Sequence, residues 1–133
     1  MSRDRLFTTP EAMTEREWQS TLQDRLTEEG YLWQHVYRMQ TARGTWRTST
    51  TSVGWPDLVA LRGEHVLAIE CKKSPRDLPT DDQIKWLVAF TALPTGRAWV
   101  LRPTDDWQAV ANWIHQPWRS PEIHGWVRSG PVA

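Results

Sequence analysis

Two carboxylates and a lysine stand at one end of a predicted β-hairpin, and they carry the clearest chemistry in the sequence. Asp57 and Glu70 bracket two apolar segments that are joined by Gly63-Glu64. If Gly63-Glu64 is a two-residue turn, Asp57 lies opposite Glu70, with Cβ atoms roughly 4.5–5.5 Å apart on one face. Lys72 follows on the same face by strand alternation. Because opposed like charges destabilise a sheet, we expect a cation to bind between them.

Oxygen donors of this kind suit a hard divalent cation. Mg²⁺ typically takes one or two protein carboxylates and completes its shell with waters and phosphate oxygens. A lysine beside it can orient or help deprotonate an attacking water, or stabilise charge that develops in phosphoryl transfer. The alternative is an exposed salt bridge between Lys72 and either acid. We favour catalysis because both faces of the hairpin are otherwise apolar, which indicates strands covered on both sides.

Helical periodicity indicates where a third acidic side chain, that of Glu15, lies on the first predicted helix. In the first predicted helix, Glu15 falls on the same stripe as Trp18 and Leu22. Glu17 falls on the opposite face, where a capping box with Thr14 accounts for it. Glu15 therefore faces the side meant for the core. An ordinary first-turn acid, favoured by the helix dipole, explains Glu15 equally well.

The rest of the chain must supply the elements that position these groups, and we predict the order αβββαβα in one domain. The predicted helices are 15–29, 80–93 and 106–115, and the predicted strands are 31–39, 57–62, 65–72 and 97–102. Residues 41–55 are rich in Thr, Ser and Gly and are predicted to form a loop. We place the domain at 14–116, between an N-terminal tail, 1–13, and an irregular C-terminal tail, 117–133.

Charge is segregated along the chain, although 16 basic and 16 acidic residues balance. The balance removes the simplest argument for nucleic-acid binding without excluding it. No acid lies between Tyr31 and Pro56, whereas Arg38, Arg43 and Arg47 do. A basic, Ser/Thr-rich loop suits contact with a phosphate backbone. A solvated loop with ordinary arginines explains the same pattern.

Cysteine usage and hydropathy indicate the cellular environment. The single cysteine, Cys71, excludes an internal disulfide, and alternation predicts that its side chain is a small buried hydrophobe. Residues 1–10 contain no apolar core of signal-peptide length, and no apolar run is long enough to span a membrane. We therefore expect a protein of the reducing cytoplasm.

These residues together resemble the PD-(D/E)XK nuclease superfamily. Pro56-Asp57, twelve residues, then Glu70-Cys71-Lys72 matches the motif that names it. Over about residues 14–114 the order is similar to the VRR-NUC branch and to phage-type Holliday junction resolvases. The motifs are Glu15-x-x-Trp18-Gln19, Gly30-Tyr31 with His35, Gly54-Trp55-Pro56-Asp57, Glu70-x-Lys72, Asp82-Gln83 and Trp99-Val100-Leu101-Arg102-Pro103. The tract before Pro56 is longer than in many members, which leaves the shape of the substrate open.

The resemblance implies an α/β, restriction-endonuclease-like fold, with an αβββαβ core and a mixed central sheet flanked by helices. The metal ligands it implies for Mg²⁺ or Mn²⁺ are Asp57, Glu70, the backbone carbonyl of Cys71 and, as an extra ligand or outer acid, Glu15. The catalytic residues it implies are Asp57, Glu70, Lys72, Glu15 and Gln83. For Gln83, a capping box with Thr80 is an equally good explanation.

We therefore predict a metal-dependent, structure-specific DNA endonuclease of phage or mobile-element origin, acting in the cytoplasm of a bacterial host. The alternatives are a restriction-like or nicking nuclease on linear duplex, and a DNA-binding module of the same fold without cleavage. The intact set of Asp57, Glu70 and Lys72 argues against the last. The candidate DNA-contacting residues are His35, Arg38, Arg43 and Arg47. A lone strand histidine such as His35 is more often an ordinary core or surface group.

We also expect a symmetric homodimer that recognises branched DNA. One small core offers one metal site, and a four-way junction needs two incisions, which a two-fold dimer supplies. The ten tryptophans exceed what one small core readily buries, and Trp is enriched in interface centres. The alternative is a monomeric nicking enzyme whose tryptophans belong to the core.

Overall fold

The elements of the chain alternate between helices and short strands in the computed structural model, which describes residues 13–36, 38–40, 46–48 and 53–127. In chain order they are α1 (Glu15–Glu28), β1 (Leu32–His35), β2 (Arg38–Gln40), β3 (Trp46–Thr48), β4 (Leu58–Arg62), β5 (His65–Cys71), α2 (Asp81–Thr91), β6 (Gly96–Leu101), α3 (Trp107–His115), a short 3-10 helix (Pro117–Arg119) and β7 (Ile123–His124). None of the helices in these ranges has the length and apolar character needed to cross a membrane.

The helices begin where the sequence places side-chain caps. Both predicted capping boxes are present, Thr14 with Glu17 at α1 and Thr80 with Gln83 at α2. At α3 the carboxylate of Asp106 accepts from a first-turn N–H at 3.0 Å. Such caps satisfy N–H groups that a helix leaves without partners, so they fix where each helix starts.

A mixed five-stranded sheet, in the order β1-β4-β5-β6-β7, forms the centre of the fold. β4 pairs antiparallel with β1 and β5, whereas β6 pairs parallel with β5 and β7. The parallel pairing of β5 with β6 requires a crossover, which α2 provides. The expectation of a mixed sheet flanked by helices is confirmed.

The β4–β5 hairpin has the predicted register. Its ladder runs from Arg62 opposite His65 to Leu58 opposite Ile69. Gly63 in the turn has a φ of +59°, a region that glycine adopts without steric cost. Asp57 and Glu70 lie one step beyond the last pair of the ladder.

The segment between β1 and β4 differs from its prediction. A single strand over 31–39 is wrong, because β1 ends at His35 and β2 belongs to a separate two-stranded sheet. The partner of β2 is β3, which lies inside the predicted loop 41–55. The loop prediction is therefore wrong for 46–48: β propensity depends strongly on what a segment pairs with.

The C-terminal segment is also more regular than predicted. β7 adds the fifth strand beside β6. Indole N–H groups hold this segment to the sheet: Trp99 donates to the carbonyl of Pro121 at 2.8 Å, and Trp126 donates to that of Ala98 at 2.9 Å. Periodicity does not reveal contacts of this kind, because they join distant parts of the chain.

Apolar side chains pack on both faces of the sheet. The larger core brings α1 and α3 against β4, β5 and β6, and its members include Trp18, Leu22, Leu26, Leu58, Leu67, Ile69, Cys71, Trp99, Val110 and Ile114. The smaller core places α2 over Ala68, Ala98 and Val100. The expectation that both faces are covered fails beside the edge strand β1, where Leu61 on β4 is 47% exposed.

Most of the tryptophans belong to these cores. Trp18 and Trp99 are fully buried, and Trp33, Trp107 and Trp113 pack against the larger core. Among the tryptophans whose side chains the structure describes, a set that does not include Trp46, only Trp118 is predominantly exposed, at 57%. Their number therefore gives little support to an interface.

Candidate active site

One pocket of about 670 Å³ opens where β4 begins and β5 ends, between α1 and the start of α2. Its lining residues are Glu15, Arg16, Gln19, His35, Val36, Asp57, Glu70, Cys71, Lys72, Asp77 and Gln83. All five residues predicted to be catalytic are among them. Three separate elements and the β4–β5 hairpin thus converge on one place.

Asp57 is fixed by backbone hydrogen bonds to the strands on either side of it. Its carbonyl accepts from the N–H of Val36 at 3.0 Å, and its carboxylate Oδ2 accepts from the N–H of Cys71 at 2.8 Å. The second bond ties the carboxylate to the end of β5. Glu70, immediately before Cys71, is 2% exposed. The two carboxylates therefore share the pocket, with the Cys71 amide holding one of them.

Lys72 comes directly after β5, where the chain leaves the sheet. Its N–H donates to the carbonyl of Leu101 at 3.1 Å, which extends the pairing with β6 by one residue. The residue is half-buried in the wall of the pocket. The backbone bond sets the point from which the ammonium group enters the site.

Cys71 is buried in the larger core with 1% exposure, as predicted. Burial raises the pKa of its thiol well above the ordinary value, and the carboxylates of Asp57, Glu70 and Glu15 raise it further. The thiol therefore stays protonated and is a poor nucleophile. The same effect shows that three carboxylates act on one small region.

The first helix places its acids as the periodicity predicts. Glu15 is half-buried and lines the pocket, whereas Glu17 is exposed and accepts from the Thr14 hydroxyl at 3.0 Å. Arg16, which the sequence argument passed over, also lines the pocket. The sequence did contain an indication of this, since Arg16 directly follows the candidate acid Glu15 and a guanidinium group suits a substrate phosphate.

Gln83 forms the predicted capping box and also lines the pocket, while its role in the site stays a prediction. Its side-chain oxygen accepts from the N–H of Thr80 at 2.9 Å, and its own N–H donates to the Thr80 hydroxyl at 3.2 Å. The side chain is also buried at 3% exposure in the pocket wall. The roles are compatible because the capping bond uses only the amide oxygen.

The predicted DNA-contacting residues do not all lie together. His35 ends β1 and lines the pocket, where burial lowers its pKa and the Asp57 carboxylate partly opposes that shift. Arg38 and Arg47 belong to β2 and β3. Arg43 lies outside the described residues. DNA contact by the three arginines stays a prediction.

The segment that precedes Asp57 packs against α2. Gly54 has a φ of +90°, and a Cβ there would lie 2.5 Å from the backbone of Asp82. The indole N–H of Trp86 donates to the carbonyl of Val53 at 3.1 Å, and the rings of Trp55 and Trp86 are 4.8 Å apart. The position of α2 therefore helps to fix the start of β4.

A family model described as "Archaeal holliday junction resolvase (hjc)" matches residues 12–114. The chain belongs to this family. The hjc family is part of the PD-(D/E)XK nuclease superfamily, so the resemblance carried by Asp57, Glu70 and Lys72 is confirmed at the level of the superfamily. The mixed sheet with flanking helices is consistent with the restriction-endonuclease-like fold.

No curated protein matches the sequence. A solved structure titled "Crystal Structure of Protein of Unknown Function AF1548" is similar at 17% identity with a TM-score of 0.35. The match covers 67% of this chain and 47% of that one, so the chain spans about half the length of that relative. A likeness this distant carries no argument about function.

The ligand chemistry of this hjc-family pocket fits a hard cation. Within the described ranges, no group of three or more His, Cys, Asp and Glu side chains is arranged to hold a metal ion. The predicted carboxylates Asp57, Glu70 and Glu15 are thus not a preassembled three-carboxylate cluster. Mg²⁺ needs only one or two carboxylates besides carbonyl, water and phosphate oxygens. Asp57, Glu70 and the carbonyl of Cys71 meet that requirement in kind and number.

Proposed function

We propose that the protein is a divalent-metal-dependent endonuclease that cuts branched DNA in the manner of a Holliday junction resolvase. The observation that carries the proposal is the convergence of Asp57, Glu70 and Lys72 on one pocket. Membership of the hjc family supports the same activity. Motifs such as Gly54-Trp55-Pro56-Asp57 favour the VRR-NUC or phage-type branch, and with it a phage or mobile-element origin.

Asp57, Glu70 and the carbonyl of Cys71 would hold Mg²⁺ or Mn²⁺. The chemistry that such an ion supplies is neutralisation of phosphate charge and a more acidic water. Lys72 orients the attacking water or stabilises negative charge on the phosphate. Glu15 serves as an additional acid at the same pocket, as an extra ligand or an outer group. The resemblance implies products with 5′-phosphate and 3′-hydroxyl ends.

Two further pocket residues suit the substrate. Arg16 is a cation in the same wall as Glu15, and a guanidinium binds phosphate through two parallel hydrogen bonds. Gln83, fixed by its capping bond, supports the site from α2. We propose that His35, at the pocket, and Arg38, Arg43 and Arg47 contact the DNA backbone, which suits their lack of acidic neighbours in the sequence.

We propose a homodimer as the working unit, because resolution of a junction requires paired incisions. Cross-strand partners Leu32 and Leu61, on β1 and β4, are 78% and 47% exposed. Adjacent exposed apolar side chains are a common feature of protein interfaces. They support the dimer better than the tryptophans do.

The test is cleavage of matched four-way-junction, flap, duplex and single-stranded DNAs in Mg²⁺, in Mn²⁺ and in excess chelator. We expect metal-dependent cleavage of the junction, with loss of turnover in Asp57→Asn and Glu70→Gln. Glu17→Gln, which changes an exposed acid outside the pocket, is the matched control. Full activity in chelator would remove the metal mechanism. Equal rates on linear duplex would favour the nicking nuclease.

A further inference from the structure

Arg102 is a buried charge that the proposed chemistry does not use. It follows β6 and is 7% exposed. Its guanidinium donates to three backbone carbonyls, from Nε to Ser74 at 2.9 Å, from Nη2 to Asp77 at 2.9 Å and from Nη1 to Gly125 at 3.0 Å. A buried cation is costly unless its donors are satisfied, so this arrangement holds only while all three carbonyls stay in place.

Two of the three acceptors bracket a turn next to the pocket. The N–H of Asp77 donates to the carbonyl of Ser74 at 3.0 Å, which closes the turn, and Arg102 binds the carbonyls at both of its ends. The turn begins two residues after Lys72, and Asp77 itself lines the pocket. Since guanidinium donors lie in one rigid plane, the two bonds fix the path of the main chain there.

The third acceptor belongs to the C-terminal segment. Gly125 has a φ of +84°, and a Cβ there would lie 2.2 Å from the carbonyl oxygen of Val100. The segment therefore passes β6 at a distance that only glycine permits. On the other side, the carboxylate of Asp105 accepts from the backbone N–H of Arg102 at 2.7 Å and lies 3.2 Å from His124 Nε2. Arg102 thus joins the C-terminal segment to the turn beside the pocket.

We propose that Arg102 is a positioning residue for the nuclease site. It fixes the connection 73–80, so that Lys72 at one end and Gln83 just past the other keep their places in the pocket wall. The inference rests on the proposed function, since it concerns the reaction at that pocket. A displacement of about 1 Å in a catalytic site can cost about a hundredfold in rate. DNA binding depends mainly on phosphate contacts spread over the surface and should change little.

Arg102→Lys and Arg97→Lys, each in the full chain, make a matched comparison. Arg97 lies on β6, the strand that Arg102 follows, but its guanidinium bonds to the Pro117 carbonyl and the Ser120 hydroxyl at 3.2 and 3.1 Å, away from the pocket. In Arg102→Lys we expect kcat on a junction in Mg²⁺ to fall by about a hundredfold. The Kd for the same junction without divalent metal should stay close to that of the wild type. Arg97→Lys should keep both values.

Trypsin provides a readout that does not depend on catalysis. Lys73 and Arg76 are exposed on the connection 73–80. If Arg102→Lys frees this connection, trypsin should cleave after both residues faster than in the wild type. Arg97→Lys should be cleaved there at the wild-type rate. If Arg102→Lys does not fold, Gly125→Ala replaces it, because that change displaces one acceptor and leaves the arginine. We again expect a lower kcat and faster trypsin cleavage of the connection.

Several outcomes separate this inference from the proposed function. Wild-type kcat or unchanged trypsin cleavage in Arg102→Lys would overturn the positioning role. An equal loss of kcat in Arg97→Lys would attribute the effect to general destabilisation and would overturn it too. A wild-type protein that cuts no DNA rejects the nuclease, and with it the role in catalysis, whereas faster trypsin cleavage in Arg102→Lys would still establish the anchor.

Discussion

At the scale of single residues, two acidic side chains near the start of α1 have different environments because they point in different directions. Glu15 and Glu17 are two positions apart and have the same carboxylate, yet one lines the pocket and the other caps the helix. Each residue of an α-helix is rotated by about 100° from the one before it, so side chains two positions apart point to nearly opposite faces. Substitution of the two acids by the same amide therefore isolates the effect of direction.

Glu15→Gln should slow junction cleavage at least about tenfold, because it removes a charge from the pocket where acid–base groups contribute a hundredfold or more. Glu17→Gln should keep kcat and lower the free energy of unfolding by about 1 kcal/mol or less. Single-turnover kinetics and urea melts on both variants measure the two effects. A reversed pattern, with Glu17→Gln inactive, would show that the wrong acid has been placed at the site.

Tyr31 makes stability sensitive to alkali. Its hydroxyl donates to the carbonyl of Ile114 at 2.7 Å, and burial raises the pKa of the phenol from 10.0 to about 12. Because the folded pKa is the higher one, this contribution is complete below pH 10 and is lost as pH rises towards 12. Tyr31→Phe should lower the free energy of unfolding by about 1 kcal/mol at neutral pH.

The variant should also lose that part of the alkaline decline in stability. Urea melts of wild type and Tyr31→Phe at neutral pH and at a pH between 10 and 12 measure the difference. The gap between the two proteins should narrow in alkali. A gap that widens would mean that the buried phenol is not the group that titrates.

At the scale of elements, α2 supports the segment that leads into Asp57 and β4. Gly54 meets the first turn of α2 so closely that a methyl group has no room, whereas Gly30, with a φ of +80°, has nothing within 4 Å of the same position. Both glycines have a backbone that other residues adopt only with strain of about 1–2 kcal/mol. Only one of them also has a neighbour to displace.

Gly54→Ala should therefore reduce junction cleavage strongly and destabilise the fold by more than Gly30→Ala, which should cost about 1–2 kcal/mol and leave kcat intact. Thermal melts and cleavage rates of the two variants give the comparison. Equal effects in both would show that backbone strain alone matters, and that contact with α2 does not set the position of Asp57.

The elements most accurately predicted are those set by rules that act over a few residues. The Thr14 and Thr80 caps and the two-residue turn at Gly63 fix α1, α2 and the β4–β5 register. Of the strands that were missed, β3 pairs with the nearby β2, whereas β7 pairs with β6 from beyond α3. β7 depends on the indole of Trp99, and nothing in the local pattern of either segment announces its pairing.

The candidate site divides in the same way. Asp57, Glu70 and Lys72 follow from strand alternation, and Glu15 follows from helical periodicity. Arg102 could not be found by either rule, because its partners Ser74 and Gly125 are 28 and 23 residues away. The motif Trp99-Val100-Leu101-Arg102-Pro103 marked the segment, but the role of Arg102 became apparent only from its partners in three dimensions.

At the scale of the whole molecule, the exposed pair Leu32 and Leu61, on β1 and β4, gives the proposed dimer a contact surface that can be tested. Leu61→Lys should weaken self-association, because it places a charge in the proposed apolar contact between copies. Val88→Lys changes a residue that is 50% exposed on α2 and should leave the assembly unchanged. Sedimentation at micromolar concentration, together with junction cleavage, measures both. A wild-type monomer that resolves junctions would remove the dimer from the proposal.

The late position of β7 and Trp126 in the sequence bears on how the protein is made. Residues that line the pocket occur between 15 and 83, yet β6 gains a neighbour and Arg102 gains its third acceptor only from 123–126. A ribosome delivers the chain from the N-terminus, and a domain folds as a unit once enough of it has emerged. A nascent chain would thus carry every acid of the pocket before the turn beside it gains its link to the C-terminal segment, so the proposed positioning by Arg102 would be complete only after residues 123–126 had emerged.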